Sequence, residues 1–232
     1  GGAGDDIIIG DDGYTESAGD DTIYGGDGDD IINTRGGDDI AYGEAGNDRL
    51  SDWQDGNQSL FGGAGDDFLR SGGNYKELSG GDGDDEFHLS NEFGNVLGDD
   101  QTLDGGAGYD TLKLGSVTPN SENVGEGLTV RLNHYDLEEV WGTSGNDKLD
   151  ARFVDEGVTL VGGPVDNSGD DTLIGSNYDD HLNGRDGNDK LNGRAGDDKL
   201  RGYDGADKLK GGDGNDDIRG GEGNDKIWGH AG

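Results

Sequence analysis

Residues 175–228 divide into nines: GSNYDDHLN (175–183), GRDGNDKLN (184–192), GRAGDDKLR (193–201), GYDGADKLK (202–210), GGDGNDDIR (211–219) and GGEGNDKIW (220–228). The six units follow without a gap and keep close to G-G-x-G-x-D-x-(apolar)-x, a fixed period that marks a stacked repeat architecture. Glycine at the first, second and fourth places lets the backbone turn with positive φ, free of a Cβ clash. Such a turn aims carbonyl oxygens at one point, and the sixth-place aspartate adds a carboxylate. The last three residues make a short strand with one apolar side chain facing inward. Donors made only of carbonyl and carboxylate oxygen suit a hard cation, and a flexible oxygen cage suits Ca2+ better than Mg2+.

The same unit returns upstream. GGAGDDIII opens residues 1–113, and after an irregularity at residues 10–15 come ESAGDDTIY, GGDGDDIIN, TRGGDDIAY and GEAGNDRLS. One extra residue, Asp52, precedes a decayed unit, WQDGNQSLF; GGAGDDFLR, a second decayed unit SGGNYKELS, and GGDGDDEFH follow. An excursion over residues 89–104 leads to GGAGYDTLK. Residues 114–141 lose the period and read as an irregular β insert, in which LTVRL (128–132) alternates as a half-buried strand does and LEEVW (137–141) reads as a second strand. A second array, residues 142–232, starts at GTSGNDKLD, breaks over residues 151–168 and then runs regularly. The chain opens at GGAG and ends at GHAG, each the start of a unit, which reads as a segment of a longer array.

Composition makes this order conditional. With 51 Gly, 53 acidic against 17 basic residues, a net charge of −36 and only 28% hydrophobic residues, the chain without its period would read as a disordered polyanion. One buried Leu or Ile per nine residues is a thin core to set against the entropy of ordering nine backbones. Metal binding is therefore expected to supply part of the folding free energy. Such a chain repels phosphates, so nucleic acid is not an expected partner; cations are. The absence of Cys excludes disulfides and thiolate sites, and no apolar run is long enough to span a membrane.

On these units the chain resembles the hemolysin-type, calcium-binding RTX repeats of secreted bacterial proteins, whose known signature is this nonapeptide. The resemblance implies an all-β fold, a right-handed parallel β-roll with two nonapeptides per coil. Turns two repeats apart would then stack on one edge, and a strand spacing of about 4.8 Å lets neighbouring turns share one ion. It implies several Ca2+ ions and a ligand aspartate at Asp6, Asp21, Asp30, Asp39, Asp48, Asp67, Asp85, Asp110, Asp147, Asp171, Asp180, Asp189, Asp198, Asp207, Asp216 and Asp225. Gln58 and Lys76 take that place in the decayed units, and Asn74 and Tyr178 replace the fourth-place glycine, which puts those turns in doubt. Sorted by parity, Asp30, Asp48, Asp67 and Asp85 fall on one edge, and Asp21, Asp39, Gln58 and Lys76 on the other.

The function implied is calcium-dependent folding outside a bacterial cell, of a module that supports type I secretion of a larger protein and is not itself an enzyme. Alternatives are an adhesive or surface-layer module binding glycans, or an accessory domain of a secreted protease, lipase or polysaccharide-modifying enzyme. No glycine-rich stretch carries the Lys-Ser/Thr of a phosphate loop, and His88, His134, His181 and His230 form no H-E-x-x-H zinc motif. Tyr135, Trp141 and Phe153, in or beside the breaks, are expected to cover the core, with a sugar-binding platform as the alternative. The regular stretch 175–228 carries 13 acids against 9 bases, whereas residues 1–113 carry 28 against 5. Lys190, Lys199, Arg201, Lys208, Lys210, Arg219 and Lys226 flank the inward Leu or Ile and should face outward. They suggest an anionic polysaccharide or a cell surface as a further partner, against cross-strand pairing as the alternative.

Overall fold

In the repeat the eighth residue is apolar and its two neighbours point the other way, so each short strand buries that side chain and turns the flanking ones, polar or apolar, outward. The computed structural model describes residues 1–11, 19–52, 56–72, 74–90, 102–115, 129–132, 136–164 and 169–229. Among these every regular element is a strand. In chain order the first twelve are β1 (Gly2–Ala3), β2 (Ile7–Ile9), β3 (Thr22–Asp27), β4 (Ile31–Asn33), β5 (Ile40–Ala45), β6 (Arg49–Asp52), β7 (Asn57–Ala64), β8 (Phe68–Ser71), β9 (Asn74–Asp82), β10 (Glu86–Ser90), β11 (Thr102–Ala107) and β12 (Thr111–Gly115). The rest are β13 (Thr129–Arg131), β14 (Glu139–Trp141), β15 (Lys148–Asp150), β16 (Thr159–Val161), β17 (Thr172–Ile174), β18 (His181–Asp186), β19 (Lys190–Ala195), β20 (Lys199–Asp204), β21 (Lys208–Asp213), β22 (Asp217–Glu222) and β23 (Lys226–Trp228).

The chain divides into two compact units, residues 1–113 with Asp136 and Leu137, and the remaining described residues. In the first, odd strands pair as β1-β3-β5-β7-β9-β11 and even strands as β2-β4-β6-β8-β10-β12. In the second, the two sheets are β13-β15-β17-β19-β21-β23 and β14-β16-β18-β20-β22. Successive strands alternate sheets and pair parallel with the strand two places on, as in β3 with β5 and β18 with β20. This is a parallel β-roll, a solenoid of two-strand coils. Its core is a column of one residue per strand: Ile23, Ala41, Leu60, Leu78 and Leu103 in one sheet, facing Ile32, Leu50, Leu69, Phe87 and Leu112 in the other, nearly all fully buried. Leu149, Leu173, Leu191 and Leu209 repeat the pattern against Val140, Leu160, Leu182 and Leu200 in the second unit.

Three departures from the sequence reading have local causes. The break over residues 151–168 contains a strand: β16 pairs with β14 and β18 and buries Leu160, so the period is lost in the flanking turns while the coil persists. Lys76 does not take the ligand place. Tyr75 stands opposite Gln58 and Glu77 opposite Ser59, which leaves Lys76 as the extra residue of a bulge. Tyr75 is buried and Lys76 exposed, the arrangement that spares an ammonium group desolvation. Phe153, expected to cover the core, is 58% exposed. Trp141 lies on an outward strand position and bonds Glu139 under Arg185; Tyr135, also expected to cover the core, lies outside the described residues, as do His134 and His230. The extra residue Asp52 merely lengthens β6, pairing with Ser71, so the register beyond it holds.

Candidate metal centres

Most turns between the sheets hold a sixth-place aspartate, buried or half-buried, at the roll's edge. Its Oδ1 accepts the backbone amide of the equivalent residue one coil earlier. On the first edge of the first unit this ladder runs from Asp6 to Asp30, Asp48, Asp67, Asp85 and Asp110, with N···O distances of 2.7 to 2.9 Å. On the second edge it runs from Asp21 to Asp39 and then to Gln58, whose Oε1 accepts from Asp39 at 3.0 Å. The parity sorting thus agrees with the stacking through Gln58, and Asp6 and Asp110 extend the first edge. In the second unit one edge carries Asp147, Asp171, Asp189, Asp207 and Asp225. The other carries Val158, Asp180, Asp198 and Asp216. All sixteen aspartates therefore stand in these four ladders, and Val158 fills a ligand place that the sequence reading passed over.

The sequence reading also missed the fifth place. There a second ladder runs the opposite way: the side chain of the earlier coil accepts the amide of the later one, as Asp29 does from Asn47, Asn47 from Asp66 and Asp66 from Asp84. Asp170, Asn188, Asp179 and Asp197 do the same in the second unit. The signal was in the motif, since the fifth place is nearly always Asp or Asn, the two side chains short enough to bond a backbone one strand away.

The first-place glycine explains what the other carboxylate oxygen does. A Cβ built on Gly25 would collide with Asp30 Oδ2 and lie against the carbonyl oxygen of Gly43, the first glycine of the next coil. Gly43, with Asp48 and Gly62, and Gly193, with Asp198 and Gly211, repeat the arrangement. Oδ2 of Asp30, Asp39, Asp48, Asp67, Asp85, Asp189, Asp198, Asp207 and Asp216 is buried without a hydrogen-bond partner. Nine buried carboxylate oxygens without a donor, six of them (on Asp30, Asp48, Asp67, Asp85, Asp198 and Asp207) sharing their turn with a carbonyl oxygen of the next coil, are a costly arrangement for a protein by itself. The second place is less strict: Glu44, Arg194 and Tyr203 adopt the positive φ there, at 79°, 86° and 77°.

Burial is the main cause that lifts several of the ladder carboxyls out of the usual range. Asp189 is pushed up to about 8 by burial, opposed by the Asp171 amide and reinforced by the charges of Asp171 and Asp207. Burial likewise raises Asp67, Asp171 and Asp198 to about 7, and Asp39, Asp85 and Asp180 to about 6. A cation at each carboxylate removes that penalty. Among the described residues no three acidic or imidazole side chains converge on one point. A cation here takes its carboxylate from a sixth-place aspartate and completes its shell from backbone carbonyls, a hard, oxygen-only set that fits Ca2+.

These stacked turns coincide with a known sequence profile. The RTX calcium-binding nonapeptide repeat, in copies of four, matches residues 17–50, 54–74, 97–116, 165–200 and 201–232, more than half of the chain. The chain belongs to this RTX family. Calcium binding comes with that membership, and the buried, unpartnered carboxylates agree with it. No curated protein matches the chain.

Three turns of the RTX roll satisfy themselves instead. Asp147 Oδ2 accepts the amide of Thr143 at 2.5 Å and its hydroxyl at 2.9 Å. Asp180 Oδ2 accepts the Ser176 amide at 2.7 Å, while Oδ1 takes the Ser176 hydroxyl at 2.9 Å. In both, a hydroxyl residue replaces the second-place glycine and supplies donors where other turns have none. Tyr178, which replaces a fourth-place glycine, bonds Ser176 Oγ through its amide in the same turn. At Gln58 the replacement is more direct: Nε2 donates to the carbonyl of Gly37 in the preceding coil at 2.8 Å, a bond no carboxylate can make.

Proposed function

We propose that this RTX module is unfolded at cytosolic calcium, is exported in that state, and folds into its roll on meeting calcium outside a bacterial cell, where it supports the folding of a larger protein exported by a type I route. The reading assigns no catalysis to these 232 residues. The observation that carries it is the row of buried, donor-less Oδ2 atoms on both edges of both units. Without a cation, the edges combine like charges, desolvation and a core of one residue per strand, which opposes folding. With a cation, the same oxygens become its ligands, and binding free energy becomes folding free energy.

Circular dichroism tests this. The expected result is a coil spectrum in chelator at pH 8, parallel-β signal on adding millimolar Ca2+, and none with Mg2+, which demands a tighter octahedral shell. A β spectrum in excess chelator at pH 8 would overturn the proposal.

A further inference from the structure

We infer that the outer face of the β19-β21-β23 sheet binds a linear anionic polysaccharide. This rests on the calcium-folded roll proposed above and adds a partner to it. On that face Lys190 lies directly opposite Lys208, and Lys208 opposite Lys226. Beside them Asn192 faces Lys210, and Lys210 faces Trp228, which is 45% exposed. The outward positions at residues 190–192, 208–210 and 226–228 are thus four lysines, an asparagine and a tryptophan, with no acid among them; Arg194 and the exposed Asp213 come later, where β19 and β21 run into the next turn. All four lysines are exposed, and none lies within ion-pair distance of an acid among the described residues.

The other sheet of the same unit differs. Its outward column includes Asp217, which pairs with Arg201 and with Arg219. Cross-strand compensation therefore accounts for Arg201 and Arg219 of that sheet and fails for the lysine face. Like charges directly opposite on neighbouring strands disfavour folding, so three lysines in register are a cost the roll bears without return from its own residues. Parallel pairing spaces them about 4.8 Å apart, comparable to one sugar ring in an extended chain, so successive ammonium groups meet successive anionic residues. The fifth- and sixth-place acids of the unit lie in the turns at the roll's edges, where calcium offsets the sixth-place carboxylates, and Trp228 offers an apolar surface at the end of the lysine column. A straight column one lysine wide suits a polymer laid along the roll axis better than the flat charge of a membrane.

The test uses the full chain in calcium, with polyuronate and heparin oligosaccharides as probes and anionic phospholipid vesicles as a separate arm. One variant carries Lys190→Gln, Lys208→Gln and Lys226→Gln; its control, with equal charge change, carries Lys199→Gln, Arg201→Gln and Arg219→Gln. The expected result is salt-sensitive oligosaccharide binding that the first variant weakens about tenfold, the sum of three exposed ionic contacts, and the control weakens far less. Calcium titration by circular dichroism reads folding separately, so a chain that folds yet does not bind refutes this inference alone. Equal weakening by both variants, binding to vesicles only, or binding that follows calcium and ignores the lysines would overturn it.

Discussion

At residue 58 one amide group replaces one carboxylate, and the exchange changes what the turn needs. Gln58 keeps the ladder bond from Asp39 through Oε1 and spends its Nε2 on Gly37. Asp67, one strand on and on the other edge, keeps the ladder bond from Asp48 but leaves Oδ2 buried without a donor. Asp67→Ala is therefore expected to lower the calcium stoichiometry in calorimetry and to raise the calcium midpoint of folding about tenfold or more. Gln58→Ala should cost about 1–3 kcal/mol through its lost buried hydrogen bonds with the stoichiometry unchanged. Gln58→Asp should bind additional calcium, and an unchanged ion count in that variant would refute the stand-in role of the amide. Acid gives an independent reading. Seven edge carboxyls, those of Asp39, Asp67, Asp85, Asp171, Asp180, Asp189 and Asp198, are raised in the metal-free fold from 3.8 to between about 6 and about 8. Protonation thus favours the metal-free roll: that contribution is complete below the unfolded value and is lost as pH rises through 6 to 8. Calcium needs the ionised form, so its affinity should rise over the same window. Circular dichroism in chelator is expected to show β-structure near pH 4 that is gone at pH 8; equal spectra at both would contradict the assignment of these groups.

Among the elements, β9 is where the second edge of the first unit stops following the rule. Its bulge buries Tyr75 against the Gln58 coil and puts Lys76 in solvent. Deleting Lys76 would remove the extra residue and let the pairing run unbroken from Asn57–Asn74 to Ser59–Glu77. The expected outcome is a chain as stable as the parent or more so, measured by calcium-dependent thermal unfolding, because no buried group depends on the lysine. A loss of more than about 2 kcal/mol would mean the bulge is required by its neighbours. The strands themselves were legible because each needs only an apolar residue nine places from the last, LTVRL was legible as a strand by alternation, and LEEVW read as a second strand beside it. What was hidden lies in turns whose length changes. The coil around Leu160 escaped notice because Gly162 and Asp171, which meet in space as a first glycine and its aspartate, are separated by an enlarged turn and by a Pro. The bulge escaped notice because counting in nines puts Lys76 in register, whereas burial selects Tyr75. The roles of Thr143 and Ser176 need donors and acceptors in three dimensions, although their replacement of a second-place glycine was visible.

For the whole molecule, the charge of −36 includes sixteen ladder aspartates on edges that calcium can neutralise. Added monovalent salt screens the exposed acids only, so it should not substitute for calcium in chelator. The two opposed ladders have a consequence under tension. Each coil is tied to the next by a sixth-place bond in one direction and a fifth-place bond in the other, so pulling on the chain ends loads one coil at a time, like a row of snap fasteners. In calcium, a stretched molecule is expected to lengthen in steps of one coil, about 60 Å for eighteen residues drawn straight. In chelator at mildly acid pH the fasteners that hold longest should be those that need no ion, Gln58 with Gly37, Thr143 with Asp147 and Ser176 with Asp180. Optical-tweezer traces without pauses near those coils would show that the bonds bear no load. Pauses at those coils make the chain a tether whose length is set by calcium and whose resting points are set by three side chains.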